Sequence, residues 1–431
     1  MKTTLQFLIL AIFSTFLFTI SQGQNIILNQ TNETGLYKKG QKIRVTLFLK
    51  EHSNDSVSVR IRRNYSEQIS QRKVKFTGDT LLIFDETMNE PSSVIFETST
   101  KTETASIGLV VDPEKFKPGT NRPKDFDRFW KEKKKTLRAL PVTIKEVPVK
   151  ESESGYYCAD MEISCTGPKP ARGYFAKPES ARPKTLPIVL YVHAAGVKGS
   201  WCRSEPANAL RFAKMGQGAL CFDLNAHGML NGQPEEYYAN LENGELKDYP
   251  YQGMENRRDF YFRGMYLRLI RTLDFLTSQP EWDGKRILVI GESQGGGQAL
   301  AAAGLDKRVT AVIATVPAMC DWGGALAGRR GGWPQPFERG GDRKKMLSVL
   351  PYFDTAHLLK DSKATILTEI GLIDMTCPST SVYAAVNQAK GKKIILAVPY
   401  RQHHAPSNYL KETWENNFNQ KREEFIRDYL K

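Results

Sequence analysis

The chain has 431 residues, 40% of them hydrophobic and 25% charged, with a formal charge of +14. That length exceeds the ~100–200 residues of one ordinary domain, and six cysteines among so many residues exclude a small disulfide-built scaffold. The positive surplus falls almost wholly after residue 112. It could attract an anionic polymer, but without a nucleic-acid motif it reads as solubilising charge, so no nucleic-acid partner is expected.

The N-terminus has the form of an export signal. Lys2 precedes a mostly apolar run, Leu5 to Ile20, and Ser21-Gln22-Gly23 is a small-x-small cleavage site. The run falls short of the roughly 20 residues a membrane span needs, and no cysteine precedes Cys158 to carry a lipid. The expectation is a secreted or periplasmic protein beginning near Gln24, with no membrane association after signal removal.

Residues 24–112 alternate apolar and polar side chains in short runs between turn signals. Ile43, Val45 and Leu47 share one face, as do Val57, Val59 and Ile61. Further strands are expected at Ile26–Leu28, Lys73–Phe76, Leu81–Phe84, Val94–Glu97 and Ala105–Val111. Seven short strands in about 90 residues predict a β-sandwich of immunoglobulin type, on pattern alone since no cysteine pair is present. No cluster of aromatics marks a sugar platform there, so a packing role is expected. Asp112 to Lys124, punctuated by Pro113, Pro118, Gly119 and Pro123, is the expected boundary, making 113–431 the second domain.

Asp125 to Leu137 predicts a helix, with acidic residues in its first turn and lysines toward its end. Its Phe126, Phe129 and Trp130 are spaced to pack it onto the body. Strands are then expected at 156–164 and 172–177 as an antiparallel pair, followed by 187–193, 218–223, a helix at 263–279, and strands at 286–290, 309–316, 364–370 and 392–398. A closing helix spans 412–430. Such alternation implies a mostly parallel, doubly wound sheet covered on both faces, the α/β class. Cys158 and Cys165, if on one strand, are roughly 23 Å apart and too distant to bond; other pairings stay open.

Chemistry concentrates at Arg286 to Ala303. The apolar run Ile287 to Ile290 ends in Gly291-Glu292-Ser293-Gln294-Gly295 and passes into the helix former Gln298 to Ala303. Strand, sharp turn and helix around Gly-x-Ser-x-Gly define the nucleophile elbow of an α/β-hydrolase. The turn lifts Ser293 above the sheet and aims the Gln294 N–H at a developing oxyanion. A serine needs a base, and the base needs an orienting carboxylate, each just after a later strand. Asp374 follows the run Thr365 to Ile373 and is preferred to Glu369, which lies within the strand. His403 follows Ile394 to Pro399 as the base, with His404 beside it. Neighbouring histidines point apart and no cysteine or third histidine stands close in sequence, so neither a metal nor a cofactor is expected. After the strand ending at His193, Ala194-Ala195-Gly196 keeps side chains small, and the Ala195 N–H is the second oxyanion donor expected. His193 braces this loop; His227 either braces it or lines the pocket.

At these residues the chain resembles the acetyl xylan esterase and cephalosporin C deacetylase family, carbohydrate esterase family 7. The resemblance rests on Arg263-Gly264-Met265-Tyr266, on Ser293 to Ala302, and on Val316-Pro317-Ala318-Met319-Cys320-Asp321-Trp322. It is joined by Asp125 to Trp130 and by Asp374-Met375-Thr376-Cys377-Pro378-Ser379-Thr380. It covers roughly residues 115–431. The likeness implies Ser293, Asp374 and His403 as triad, and homo-oligomers; the candidate substrate pocket is His193, His227 and Trp322. Departures gather around the substrate: His193-Ala194-Ala195 stands where the family has His-Gly-Tyr, Gln402 and His404 flank the base, and the loops at 223–228 and 324–341 differ. The expected activity is that of a serine esterase removing acetyl or another small acyl group from a polysaccharide or oligosaccharide such as acetylated xylan. The alternatives are a prolyl-oligopeptidase-like peptidase and a non-catalytic polysaccharide-binding protein.

Overall fold

The computed structural model describes residues 26–50, 56–75, 78–150, 153–407 and 410–431. The expected export signal and Phe76 lie outside these residues. Among them, no helix is long and apolar enough to cross a membrane.

The first eight strands are β1 (Ile26–Gln30), β2 (Leu36–Tyr37), β3 (Lys42–Leu49), β4 (Ser56–Arg63), β5 (Glu67–Lys75), β6 (Thr80–Thr87), β7 (Ser92–Ser99) and β8 (Thr104–Val111). They form two sheets, ordered β1-β3-β6 and β2-β8-β7-β4-β5. Period-two alternation explains why the sheets stack: Ile43, Val45 and Leu47 of β3 share one apolar core with Val57, Val59 and Ile61 of β4. All seven expected strands fall on observed ones. The strand missed, β2, has two residues and exists through its parallel pairing with β8.

The rest of the chain builds one large sheet with helices on both faces. Its elements are α1 (Phe126–Ala139), β9 (Ile144–Pro148), β10 (Tyr156–Ile163), β11 (Ala171–Pro178), β12 (Leu186–Val192), α2 (Pro206–Ala213), β13 (Leu220–Asn225), α3 (Glu235–Asn243), α4 (Tyr261–Thr277), β14 (Trp282–Glu292), α5 (Gln294–Leu305), β15 (Ala311–Thr315), β16 (Thr365–Gly371) and β17 (Lys393–Val398), with shorter helical segments between and after them. The strand order is β17-β16-β15-β14-β12-β13-β11-β10-β9. From β17 to β13 all neighbours are parallel; β11, β10 and β9 complete the sheet antiparallel.

Alternate residues serve opposite faces. Ile188, Leu190, Ile287 and Val289 pack with Phe129 of α1, Leu273 of α4 and Leu300 of α5. Val189, Leu288 and Ile290 pack with Phe212 of α2 and with Ile426 and Leu430 near the C-terminus. The aromatics of α1 are buried as expected, and the Trp130 indole N–H donates to the Tyr352 carbonyl at 2.8 Å. All six cysteines are free thiols.

The consequence for function is geometric. Parallel strands end on the same side, so the loops after β12, β14, β16 and β17 meet at one sheet edge. These loops carry Ala195, Ser293, Asp374 and His403.

Candidate active site

Ser293 occupies the turn between β14 and α5 at φ 54 and ψ −119, a conformation that costs a non-glycine residue about 1–3 kcal/mol. Neighbouring backbone holds it there. Its N–H donates to Thr315 O (2.9 Å), and its carbonyl accepts the N–H groups of Ala318 (2.9 Å) and Gly297 (3.0 Å). Two glycines make the turn possible. A Cβ on Gly291 would lie 2.3 Å from the Gly295 carbonyl carbon, and one on Gly295 would lie 2.4 Å from Val192 O. The second contact seats the elbow directly against the end of β12, where the Ala194–Gly196 loop begins.

His403 stands between the other two residues. Its Nδ1–H donates to Asp374 Oδ2 at 2.8 Å, and its Nε2 accepts the Ser293 hydroxyl at 2.9 Å. This tautomer follows from the partners, since a carboxylate can only accept. Asp374 is fully buried, and its Oδ1 accepts the N–H groups of Thr376 and Cys377, both at 2.8 Å. The carboxylate is therefore aimed by its own turn. Glu369, the other carboxylate considered, faces elsewhere. It pairs with Arg401 and accepts the Trp414 indole N–H at 2.6 Å. His404 is exposed beside His403, with ring centroids 5.6 Å apart.

One expectation needs correcting. Cys377 is close to the histidine after all: its sulfur, an Asp374 oxygen and a His403 nitrogen lie within 4.8 Å of one another. The helix-forming turn after Asp374 folds the thiol back, which spacing along the chain could not reveal. Burial pushes that thiol well above its ordinary value, so a protonated sulfur packs here, while the Asp374 oxygens and His403 nitrogens already have partners.

The loop after β12 is braced by both histidines. Burial opposes protonation of His193, but the Asp223 charge and hydrogen bond outweigh it and raise its pKa. Its Nδ1 lies 3.3 Å from Trp201 O. His227 is held neutral: its Nε2–H donates to Gly196 O at 2.9 Å and its Nδ1 accepts the Tyr261 hydroxyl at 2.6 Å. Burial, aided by the Arg268 charge, lowers its pKa to about 3. Gln294, the first residue of α5, leaves its N–H outside the helix's own hydrogen bonds. Its side chain accepts the Tyr249 hydroxyl at 2.5 Å.

Trp322 does not line a pocket. It is 1% exposed, packs edge-on against Phe260 and donates to Trp333 O at 3.0 Å. The surrounding aromatics Phe260 and Phe262 enclose its ring. The exposed aromatic near the site is instead Trp201, 65% exposed, whose indole N–H donates to Ala195 O at 3.0 Å. No local pattern distinguished it. Asp223 was readable as a strand-end carboxylate, but not as the partner of His193.

A strained serine at a strand–helix turn, linked through an imidazole to a buried carboxylate on a mostly parallel sheet, is the arrangement of an α/β-hydrolase. Comparison with known proteins agrees. Residues 109–421 match the acetyl xylan esterase (AXE1) family. The chain is 30% identical over 397 residues to acetyl esterase Axe7A of Xylanibacter ruminicola, covering 88% of this chain and 87% of that protein. The solved structure of acetyl xylan esterase from Paenibacillus sp. R4 superposes with a TM-score of 0.60 at 26% identity, over 74% of this chain and 98% of the other. Acetyl xylan esterase 1 of Thermoanaerobacterium sp. JW/SL YS485 shares the fold, with a TM-score of 0.56 at 21% identity over 74% and 98%. The protein belongs to the acetyl xylan esterase family and is a carboxylic ester hydrolase.

Proposed function

We propose that this is an exported serine esterase that removes acetyl groups from a polysaccharide or its oligomers, acetylated xylan being the model substrate. The observation that carries the reading is the imidazole of His403, within hydrogen-bond reach of both Ser293 and Asp374. Ser293 Oγ attacks the ester carbonyl while His403 Nε2 takes its proton. Asp374 holds the ring and stabilises the imidazolium. The N–H groups of Ala195 and Gln294 receive the negative oxygen, a contribution worth ~10²–10³ in turnover per donor. As the ester C–O bond breaks, His403 gives that proton to the leaving sugar oxygen, which departs as a hydroxyl, and water activated by the same ring releases acetate from the acyl-enzyme.

Trp201 supports a sugar-bearing substrate. Its exposed indole is tied to the carbonyl of Ala195, the residue whose N–H is assigned to the oxyanion. The mature chain divides into an immunoglobulin-like β domain (24–112) and the catalytic domain (113–431), and it assembles as a homo-oligomer. The test is hydrolysis of p-nitrophenyl acetate by wild type and Ser293→Ala, with acid release from a panel of acetylated and methyl-esterified polysaccharides. Acetate release lost in the variant supports the reading; retained hydrolysis by Ser293→Ala refutes it.

A further inference from the structure

The β domain does more than adjoin the catalytic sheet. Tyr65, in the turn between β4 and β5, is 2% exposed although turn side chains ordinarily face water. Its hydroxyl donates to the Leu372 carbonyl at 2.9 Å, accepts the Ser379 N–H at 3.1 Å and lies 2.8 Å from Ser379 Oγ. Leu372 and Ser379 are the two ends of the turn that presents Asp374. One phenol oxygen thus ties both ends together, while its ring and Ile95 of β7 pack against Ile373.

A second contact reaches the other loop. The Gly108 N–H of β8 donates to Pro399 O at 2.8 Å, and the Leu372 N–H donates to Val398 O at 3.0 Å. A Cβ on Gly108 would lie 2.3 Å from Leu372 O, so β8 passes flush against the chain exits of both β16 and β17. Asp374 lies two residues beyond the first contact point and His403 four beyond the second.

The turn supplying Tyr65 is itself fixed. Asn64 and Tyr65 have φ of 53 and 66, unusual for a tyrosine. Asn64 compensates through its N–H to Ser93 O (2.8 Å), its side-chain oxygen to Ser93 N–H (3.0 Å) and its carbonyl to Arg330 N–H (3.1 Å). Residues before 109 lie outside the family match, so this support comes from beyond the matched catalytic unit.

We propose that the N-terminal β domain sets the geometry of the relay, with Tyr65 as a positioning residue that holds the Asp374 turn and β8 holding the root of the His403 loop. This rests on the assignment of Asp374 and His403 above. Phenylalanine at 65 keeps the ring and removes the oxygen, leaving the Leu372 carbonyl and Ser379 N–H buried without that partner. A shift of about 1 Å in a supporting loop costs up to ~10²-fold in turnover.

The experiment compares full-length wild type, Tyr65→Phe, Ser379→Ala and Ser293→Ala on p-nitrophenyl acetate. Thermal unfolding confirms folding, and the low-field proton resonance of the His403–Asp374 hydrogen bond is recorded. Tyr65→Phe is expected to lower kcat by about ten- to a hundred-fold with KM within about two-fold, and to shift or broaden the low-field resonance. Unchanged kcat and resonance in a folded Tyr65→Phe overturn the proposal, as does a fall in melting temperature alone. Should Tyr65→Phe not fold, Ser379→Ala decides: lowered kcat at unchanged KM supports the proposal, and unchanged kcat overturns it. Activity surviving in Ser293→Ala overturns the triad itself, and is thereby distinguished from failure of the bracing alone.

Discussion

Replacing His227 by glutamine tests whether the loop after β12 is braced by a neutral imidazole. In the folded protein both ring nitrogens are satisfied as a neutral species, one donating to Gly196 O and one accepting from Tyr261, and burial lowers the pKa from 6.5 to about 3. The unfolded chain therefore binds a proton here that the folded chain refuses. The stabilisation is fully present above pH 6.5 and is lost as pH falls toward 3. Between pH 7.5 and 4.5 the native protein should lose about 3 kcal/mol through this group, at 1.36 kcal/mol per pKa unit. Glutamine cannot titrate. His227→Gln should start lower at pH 7.5, by about 1–3 kcal/mol for the altered Tyr261 and Gly196 bonds, yet fall less steeply on acidification. Urea denaturation at both pH values gives the difference of differences. His357, lowered to about 4 by burial and Arg122, contributes acid sensitivity to both proteins and cancels. Parallel stability curves for native protein and variant would refute the reasoning.

Other outcomes follow from the same geometry. Asp374→Asn should lower kcat by ~10⁴-fold with little change in KM, read from steady-state hydrolysis of p-nitrophenyl acetate, because the imidazole loses its acceptor and its imidazolium partner. Gly295→Ala should abolish activity and destabilise the fold, checked by thermal unfolding, since its new methyl carbon meets Val192 O at 2.4 Å. Arg401→Leu strands the buried Glu369 carboxylate, leaving it, among the described residues, the Trp414 indole, and should cost ~3–5 kcal/mol in urea denaturation. Trp201→Ala should raise KM for acetylated oligosaccharides about ten-fold while leaving p-nitrophenyl acetate hydrolysis nearly unchanged, as loss of a single stacking surface predicts.

The parts of this molecule that could be read from sequence are those whose cause is local. The elbow announces itself because an apolar strand, a steric need for glycine at 291 and 295, and a helix former adjoin one another. Asp374 and His403 were legible because each follows a strong apolar run in the order this fold imposes. β9 was missed because all five residues, Ile144 to Pro148, are exposed; an edge strand with no buried face has no alternation to read. Trp322 was misjudged because its burial depends on Phe260, 62 positions away in the sequence. Tyr65 gave no signal at all. Its partners lie 307 and 314 residues downstream, and nothing in a turn sequence indicates which distant carbonyl its hydroxyl will meet. Nothing local marks Glu369 as the partner of Arg401; the pairing of β16 with β17 brings the two together.

The most direct measurement is active-site labelling with a fluorophosphonate, followed by peptide mapping and titration of residual p-nitrophenyl acetate hydrolysis. A single adduct on Ser293, accumulating in one-to-one proportion with lost activity and strongly slowed in His403→Ala, is the predicted result. Full inactivation with the adduct on another residue, or undiminished hydrolysis by protein fully labelled at Ser293, would contradict it.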